Sequence, residues 1–218
     1  FTRGRGGSRC RTELNTAAGF PHNQHLAGRG GGVEAPGPLT GAEPPRKAVG
    51  TGPVAPLSHA AATVPLSRQT GEAVKASLRR LRALQGERAE AYRLLEEGHR
   101  AYLSSAPHYD FPRYRQLVHE ITVAFSGISR EVLGIAGRLR DELARPDLAQ
   151  HLARLQEREQ EKLQLTAQLQ LARQQAQDQP HVDAHQQEVR ELKHKLIKTI
   201  EAISEILQDL KYDSEEVE

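Results

Sequence analysis

Ten histidines supply the side chains of this sequence that are best suited to binding a metal ion or transferring a proton. His181 and His185 stand four residues apart and would share one face of a helix, with Glu188 a turn further and Asp178 nearby. Zinc needs three or four ligands in a nearly closed shell, and this pair supplies half of that. We therefore expect solvated surface residues here, and we predict no metal site and no cofactor.

Patterns for covalent or phosphate chemistry do not occur in the sequence. His119 adjoins Glu120, but neighbouring residues of a helix point apart and cannot work together. The lone Cys10 cannot form an internal disulfide, and no nucleophile elbow, P-loop or dinucleotide-binding fingerprint is found. His99 falls on an apolar helix face, which is typical of a core-edge histidine hydrogen-bonded to the facing helix. The sequence therefore predicts that this protein is not an enzyme.

Aromatic side chains are concentrated in one stretch of the chain. Six of the nine aromatic residues lie between residues 92 and 125, and Tyr109, Phe111, Pro112 and Tyr114 mark a hinge between two predicted helices. These rings either plug the end of a helical bundle or form an exposed anchor for a partner protein, since rings give large contact area at low entropic cost. We favour the plug. If the rings form an anchor instead, the four hinge residues are a candidate partner-contact site.

Basic side chains form a second candidate contact site, which divides into two clusters. If both clusters fell at one end of the molecule, they could bind phosphates. Acidic residues flank the later cluster and favour an ordinary solvated surface instead. The clusters consist of Lys193, Lys195 and Lys198, and of Arg79, Arg80 and Arg82.

Composition divides the chain at about residue 70. Residues 1–70 hold 12 of the 18 Gly and 8 of the 12 Pro, and their 8 Lys and Arg against 3 Glu give a net charge of +5. So few large apolar residues cannot repay the entropy of ordering, which predicts a disordered tail whose Arg/Gly runs could hold nucleic acid. The chain begins at Phe1 and contains no Met, so we expect the true start to lie upstream, or this stretch to come from a faulty gene model.

Residues 71–213 have the apolar periodicity of four long helices, with residues 214–218 as an acidic tail. Pro107, Pro146 and Pro180 separate the helices, because proline removes an amide donor and disfavours helix in the residue before it. Asp110 is placed to cap the second helix. The first, third and fourth predicted helices run from residue 72 to 103, 148 to 177 and 183 to 210, and the second runs from its cap at Asp110 to the break at residues 145–147.

Short connections require these helices to run antiparallel, which predicts an all-α, up-down bundle or paired coiled-coil hairpins. The second helix has a heptad-like seam from Tyr114 to Leu143, and we expect its three glycines to mark close helix approach. The first helix has a polar gap near Gln85 and Arg88, and the fourth places Ile200 in its seam. Nine Gln lie between residues 156 and 179, so the apolar stripe of the third helix is narrow. We therefore expect this helix to be the outermost arm or to await a partner chain.

Several stretches of the sequence resemble the Required for excision 1-B domain family. They are the run from Glu87 to Leu103, which includes LEEGHRAYL, the hinge YDFPRYR from Tyr109 to Arg115, and the final helix KLIKTIEAISEILQDL. The resemblance covers about residues 75–213, and the Tyr-Asp-Phe-Pro hinge is its most specific element.

The resemblance implies a nuclear role in DNA excision repair, with no enzymatic activity, no cofactor and no established functional residues. We accordingly expect a helical scaffold that acts through protein–protein contacts, with the cytoplasm as an alternative location and a homo-oligomer as an alternative assembly. Direct nucleic-acid binding and membership of an unrelated coiled-coil assembly are the competing functions. No membrane partner is expected, because no run of 18 apolar residues occurs.

Overall fold

The computed structural model describes residues 66–215, and this part of the chain contains four helices and no strand. They are α1 (Leu66–Ser104), α2 (Phe111–Asp141), α3 (Pro146–Asp178) and α4 (Asp183–Glu215). Short turns join them, and each packs against the next in the chain: α1 on α2, α2 on α3, and α3 on α4. The predicted all-α bundle of four long helices is confirmed.

The helix ends differ little from the predicted ones. α1 begins at Leu66, before the predicted boundary at residue 71, and α4 continues to Glu215, two residues into the segment predicted as an acidic tail. The Asp110 carboxylate accepts a hydrogen bond from the Arg113 amide at 3.3 Å, and proline occupies the first turn of α2, as predicted. The disorder prediction for residues 1–70 falls almost entirely outside the described residues.

The seam of α2 is buried along its whole length. Each of its nine predicted positions is either buried or half-buried, and the central ones join a core to which all four helices contribute. Val74 and Leu81 reach this core from α1, Leu152 from α3 and Ile203 from α4. The buried seam residues of α2 are Tyr114, Ile121, Phe125, Ile128, Val132, Ile135 and Leu139.

The prediction that the third helix is the outermost arm is wrong, since α3 lies at the centre of the molecule. One side of it packs on α4 through Leu165 and Leu169, and another side carries Leu163 and Ala167 toward α1 and α2. A helix that is buried on two sides has no single apolar stripe, because its contacts are spread around the axis. The thin stripe in the sequence reflects this double burial.

The glycines of α2 do not mark close helix approach, contrary to the prediction. A Cβ atom added at Gly127, Gly134 or Gly137 would meet no atom within 4 Å, so these positions face open space. The tight position is Gly98 in α1, where an added Cβ would lie 1.9 Å from Cδ2 of Leu117. The closest approach that glycine permits is therefore between α1 and α2, near the aromatic hinge.

The bundle has one open edge. The backbones of α1 and α4 do not come within 8 Å of each other in the described part of the chain, so the first and last helices flank α3 with a gap between them. Ile200, predicted in the seam of α4, is 41% exposed, and its neighbour Thr199 is buried instead. Ile200 stands seven residues before Leu207 and so shares its helix face, which looks toward the gap that α1 leaves open.

Candidate functional site

The aromatic hinge is a stack of rings that joins three helices. The ring of Tyr102 lies between Tyr109, at a centroid distance of 4.9 Å, and Tyr114, at 4.6 Å. The Tyr114 hydroxyl donates to Oε1 of Gln170 at 2.7 Å, and the Tyr109 hydroxyl donates to the carboxylate of Asp178. The rings of α1 and α2 are thereby fastened to the end of α3.

The structure places the four hinge candidates differently. Tyr114 is only 3% exposed, so the exposed-anchor alternative does not hold for its ring. Tyr109 and Phe111 are half-buried and pack in the same cluster, whereas Pro112 is exposed in the first turn of α2. The hinge geometry matches the plug that we favoured from the sequence.

His99 is buried beside this stack, as its position on the apolar stripe suggested. Its ring lies 5.6 Å from that of Tyr114 and is 2% exposed. Burial lowers the pKa of His99 to about 4, and the nearby Arg173 guanidinium acts in the same direction, while Glu96 and the Gln170 backbone oppose it. The imidazole is therefore neutral near pH 7 and packs as a core group.

A buried polar cluster lies at the middle of the bundle, where the sequence showed only a gap in the stripe of α1. Arg88 is 3% exposed, and its guanidinium donates to Oγ of Ser129 at 3.2 Å and to Oε1 of Gln156 at 3.0 Å. It lies 3.5 Å from the carboxylate of Glu159, which is 8% exposed. Arg88 follows Leu84 by four residues and so continues the buried stripe, a signal that sequence reasoning missed.

Lys162 extends the polar cluster toward the surface. Its ammonium nitrogen lies 4.0 Å from the centroid of the Tyr92 ring, which in turn packs on Phe125 at 4.6 Å. Burial lowers the pKa of Lys162, although the Glu159 carboxylate opposes this shift, and burial also raises the pKa of Tyr92. The side chains pack against one another, so the cluster connects α1, α2 and α3.

The two basic clusters do not meet at one end of the molecule. Arg82 lies beside the last turns of α4, near Leu207. Lys198 precedes Leu207 by nine residues, or about 14 Å along the helix axis. Arg80 points elsewhere and donates to Glu131 at 2.5 and 2.7 Å. The α4 cluster, all of it exposed, consists of Lys193, Lys195 and Lys198.

A cleft of about 1090 Å³ occupies the open edge between the start of α1 and the end of α4. Its apolar lining comes from both helices and from the turn that leads into α3. The six apolar residues are half-buried or buried, so the cleft cuts down to the core of the bundle. They are Val74, Leu78, Leu81, Leu143, Leu207 and Leu210.

The rim of the cleft is basic. Among the described residues, five cationic residues line it against one acidic residue, Glu215. Arg145 is held by the carboxylate of Asp147 at 2.6 Å and by the Asp213 carbonyl oxygen at 2.9 Å. The side chains of Arg79, Arg82 and Lys211 are exposed and form no ion pair with any residue in the described range. The cations are Lys75, Arg79, Arg82, Arg145 and Lys211.

The histidine pair, His181 just before α4 and His185 within it, lies at the far end of the molecule from this cleft. His181 is exposed, and the His185 ring lies 3.3 Å from the side-chain oxygen of Gln179. Among residues 66–215, no group of three His, Cys, Asp or Glu side chains is placed to hold a metal ion. Within the same range no helix is long and apolar enough to cross a membrane.

The fold and the cleft define an all-helical protein whose polar groups tie its helices together and whose open edge is apolar with a basic rim. The family model described as DNA repair REX1-B matches residues 76–173. The Required for excision 1-B domain-containing protein of Bos taurus is 47% identical over 147 residues, which cover 66% of this chain and 79% of that protein. The Mus musculus protein of the same name is 46% identical over 142 residues, which cover 65% of this chain and 81% of that protein.

The chain therefore belongs to the DNA repair REX1-B family. No solved structure matches the chain. The matched segment contains α1 from Ala76 onward, all of α2 and most of α3, and so includes the hinge, the buried polar cluster and much of the α1 wall of the cleft. The predicted family resemblance is confirmed.

Proposed function

We propose that this chain is a non-enzymatic helical adaptor in DNA excision repair, which acts in the nucleus through protein–protein contacts. Membership of a DNA repair family supports the process. The observation that carries the adaptor role is the open edge of the bundle, because an apolar cleft that reaches the core is suited to a macromolecular partner.

The placement of the charged groups also supports a non-catalytic role. Arg88 and Glu159 lie between packed helices, and Arg173 of α3 binds Glu96 of α1 at 2.6 Å. These groups hold the bundle in register, whereas general acid–base catalysis needs a titratable pair within reach of a bound substrate. The cleft is lined by cations and aliphatic groups with one carboxylate, a composition suited to recognition.

Cellular repair kinetics test the proposed process. Cells depleted of this protein should remove ultraviolet photoproducts from their DNA more slowly, and re-expression of the chain should restore the rate. The measurement is an antibody assay of remaining photoproducts over a day after irradiation. Normal removal and normal survival in depleted cells would overturn the role in excision repair.

Partner identification separates this role from membership of an unrelated coiled-coil assembly. Proximity labelling with the chain fused to a biotin ligase, before and after irradiation, should enrich proteins of the repair machinery. A labelled set made up of trafficking or cytoskeletal proteins, unchanged by irradiation, would favour the other assembly. The same ligase fused to an unrelated helical bundle serves as the control.

A further inference from the structure

We infer that the cleft between α1 and α4 binds an acidic, amphipathic helix of a partner protein, an inference that rests on the adaptor role proposed above. Such a helix would lie along the open edge between α1 and α4. Its apolar face would cover the aliphatic floor, and its acidic flanks would meet the basic rim. This is the helix-in-groove mode of recognition.

The dimensions of the cleft suit a helix. An α-helix is about 10 Å across and rises 1.5 Å per residue, so each residue fills on the order of 120 Å³. A volume of about 1090 Å³ therefore accommodates at least two turns. The apolar wall continues past the cleft along α4, because Ile200 lies seven residues before Leu207 on the same face and is exposed.

Charge selects the occupant. Arg79, Arg82 and Lys211 project from both walls with no described acidic partner, and Glu215 is the one acidic residue in the described lining. Residues 1–65 of the same chain carry 7 Lys and Arg against 3 Glu, a net charge of +4, so like-charge repulsion disfavours them as occupants. Nucleic acid would use the cations but would leave the half-buried leucines without a partner. An acidic amphipathic helix satisfies both the rim and the floor.

Photo-cross-linking in cells identifies the occupant directly. A chain with p-benzoylphenylalanine in place of Arg82, on the cleft wall, should capture a partner whose cross-linked peptide has apolar residues at steps of three and four and a net negative charge. A chain with the same group in place of Val123, which is 57% exposed on α2, is the control and should not capture that peptide.

Charge-reversal variants test whether the rim is responsible. Arg79→Glu/Lys211→Glu should reduce capture at least about fivefold, since two attractive contacts become repulsive. Lys195→Glu/Lys198→Glu makes the same change in net charge outside the cleft and should leave capture unchanged. For the apolar wall, Ile200→Asp should reduce capture, whereas the control Val123→Asp, outside the cleft, should leave capture unchanged. All these positions are exposed, so circular dichroism should show folded variants.

Any outcome other than those expected above overturns the inference. Cross-links to DNA, to a second copy of this chain, to residues 1–65 or to a basic peptide would identify a different occupant. No capture, or capture that the rim reversal does not reduce, would show that the cleft is not a docking site for an acidic helix.

If depletion slows photoproduct removal and Arg79→Glu/Lys211→Glu restores it fully, the repair role stands and this inference falls. If depletion has no effect, the repair role falls whatever the cross-link shows.

Discussion

Arg88 brings a positive charge to the middle of the bundle, where three helices meet around it. Its hydrogen bonds to Ser129 and Gln156 and its proximity to Glu159 keep that charge compensated. A buried ion pair contributes little net stability when it is intact, but removing one partner leaves the other unpaired in a low-dielectric interior. The two residues should therefore behave as a unit.

A double-mutant cycle tests this coupling. Arg88→Met should lower the free energy of unfolding by about 3–5 kcal/mol, because it leaves the Glu159 carboxylate buried without its partner. Arg88→Met/Glu159→Leu removes both charges and should recover most of that loss. Urea denaturation of the wild type, both single variants and the double variant measures the four values. A double variant no more stable than Arg88→Met would show that the two side chains are not coupled.

His99 makes stability depend on pH in mildly acidic solution. Its pKa is about 4 in the folded chain, and that of an unfolded histidine is 6.5. The unfolded state therefore binds more protons between these values, so stability is full above pH 6.5 and falls as pH drops toward 4. The difference in pKa amounts to a loss of about 3 kcal/mol over this window.

Replacing the imidazole isolates its effect. In the variant His99→Gln the position no longer titrates, so the decline in the free energy of unfolding from pH 6.5 to 4 should be shallower than in the wild type. Urea titrations at half-unit pH intervals measure both slopes, and carboxylates contribute equally to each. Equal slopes would mean that His99 is protonated as easily in the folded chain as in the unfolded one.

At the scale of the helices, Gly98 and Gly134 are a matched pair of helical glycines with opposite surroundings. Gly98→Ala should stabilise the fold less than Gly134→Ala does, because the terminal methyl group of Leu117 must move aside for the new Cβ and offsets part of the gain in helix propensity. Gly134→Ala should raise the free energy of unfolding by about 0.5–1 kcal/mol, since its Cβ meets open space. Thermal and chemical denaturation measure both changes. Equal stabilisation of both variants would mean that α1 and α2 are not closely packed at Gly98.

How far the sequence specifies each helix depends on how many of its sides are buried. α2 has one buried side, so its period of three and four residues predicted every seam position from Tyr114 to Leu143. α3 is buried on two sides, and its glutamines looked like solvent-facing residues although Gln170 is 1% exposed and binds Tyr114. A polar side chain in the interior depends on a partner from another helix, which the local pattern does not reveal.

The candidate cleft could be predicted only in part. Arg79 and Arg82 were recognised as a basic cluster, since their types and spacing are visible in the chain. Their association with Lys211 and Leu207 could not be predicted, because it depends on which helices are neighbours. Short loops require consecutive helices to be antiparallel, but they do not determine whether the first and last helices touch.

At the scale of the whole molecule, the central position of α3 predicts an order of stability among the helices. α3 packs against both α2 and α4, whereas the backbone of α4 closely approaches that of α3 alone among the described helices. Local opening costs most where a segment is buried on several sides. Peptides from residues 148–176 should therefore exchange amide hydrogen on the order of tenfold more slowly than peptides from residues 183–200, which corresponds to about 1.4 kcal/mol in the free energy of opening.

Hydrogen–deuterium exchange with mass spectrometry measures this order directly on the full chain. Both segments are long and helical, so their difference reports packing rather than helix content. The sequence-based view of the third helix as the outermost arm predicts the reverse order, with the Gln-rich segment exchanging first. Faster exchange in residues 148–176 than in residues 183–200 would thus contradict the central position of α3.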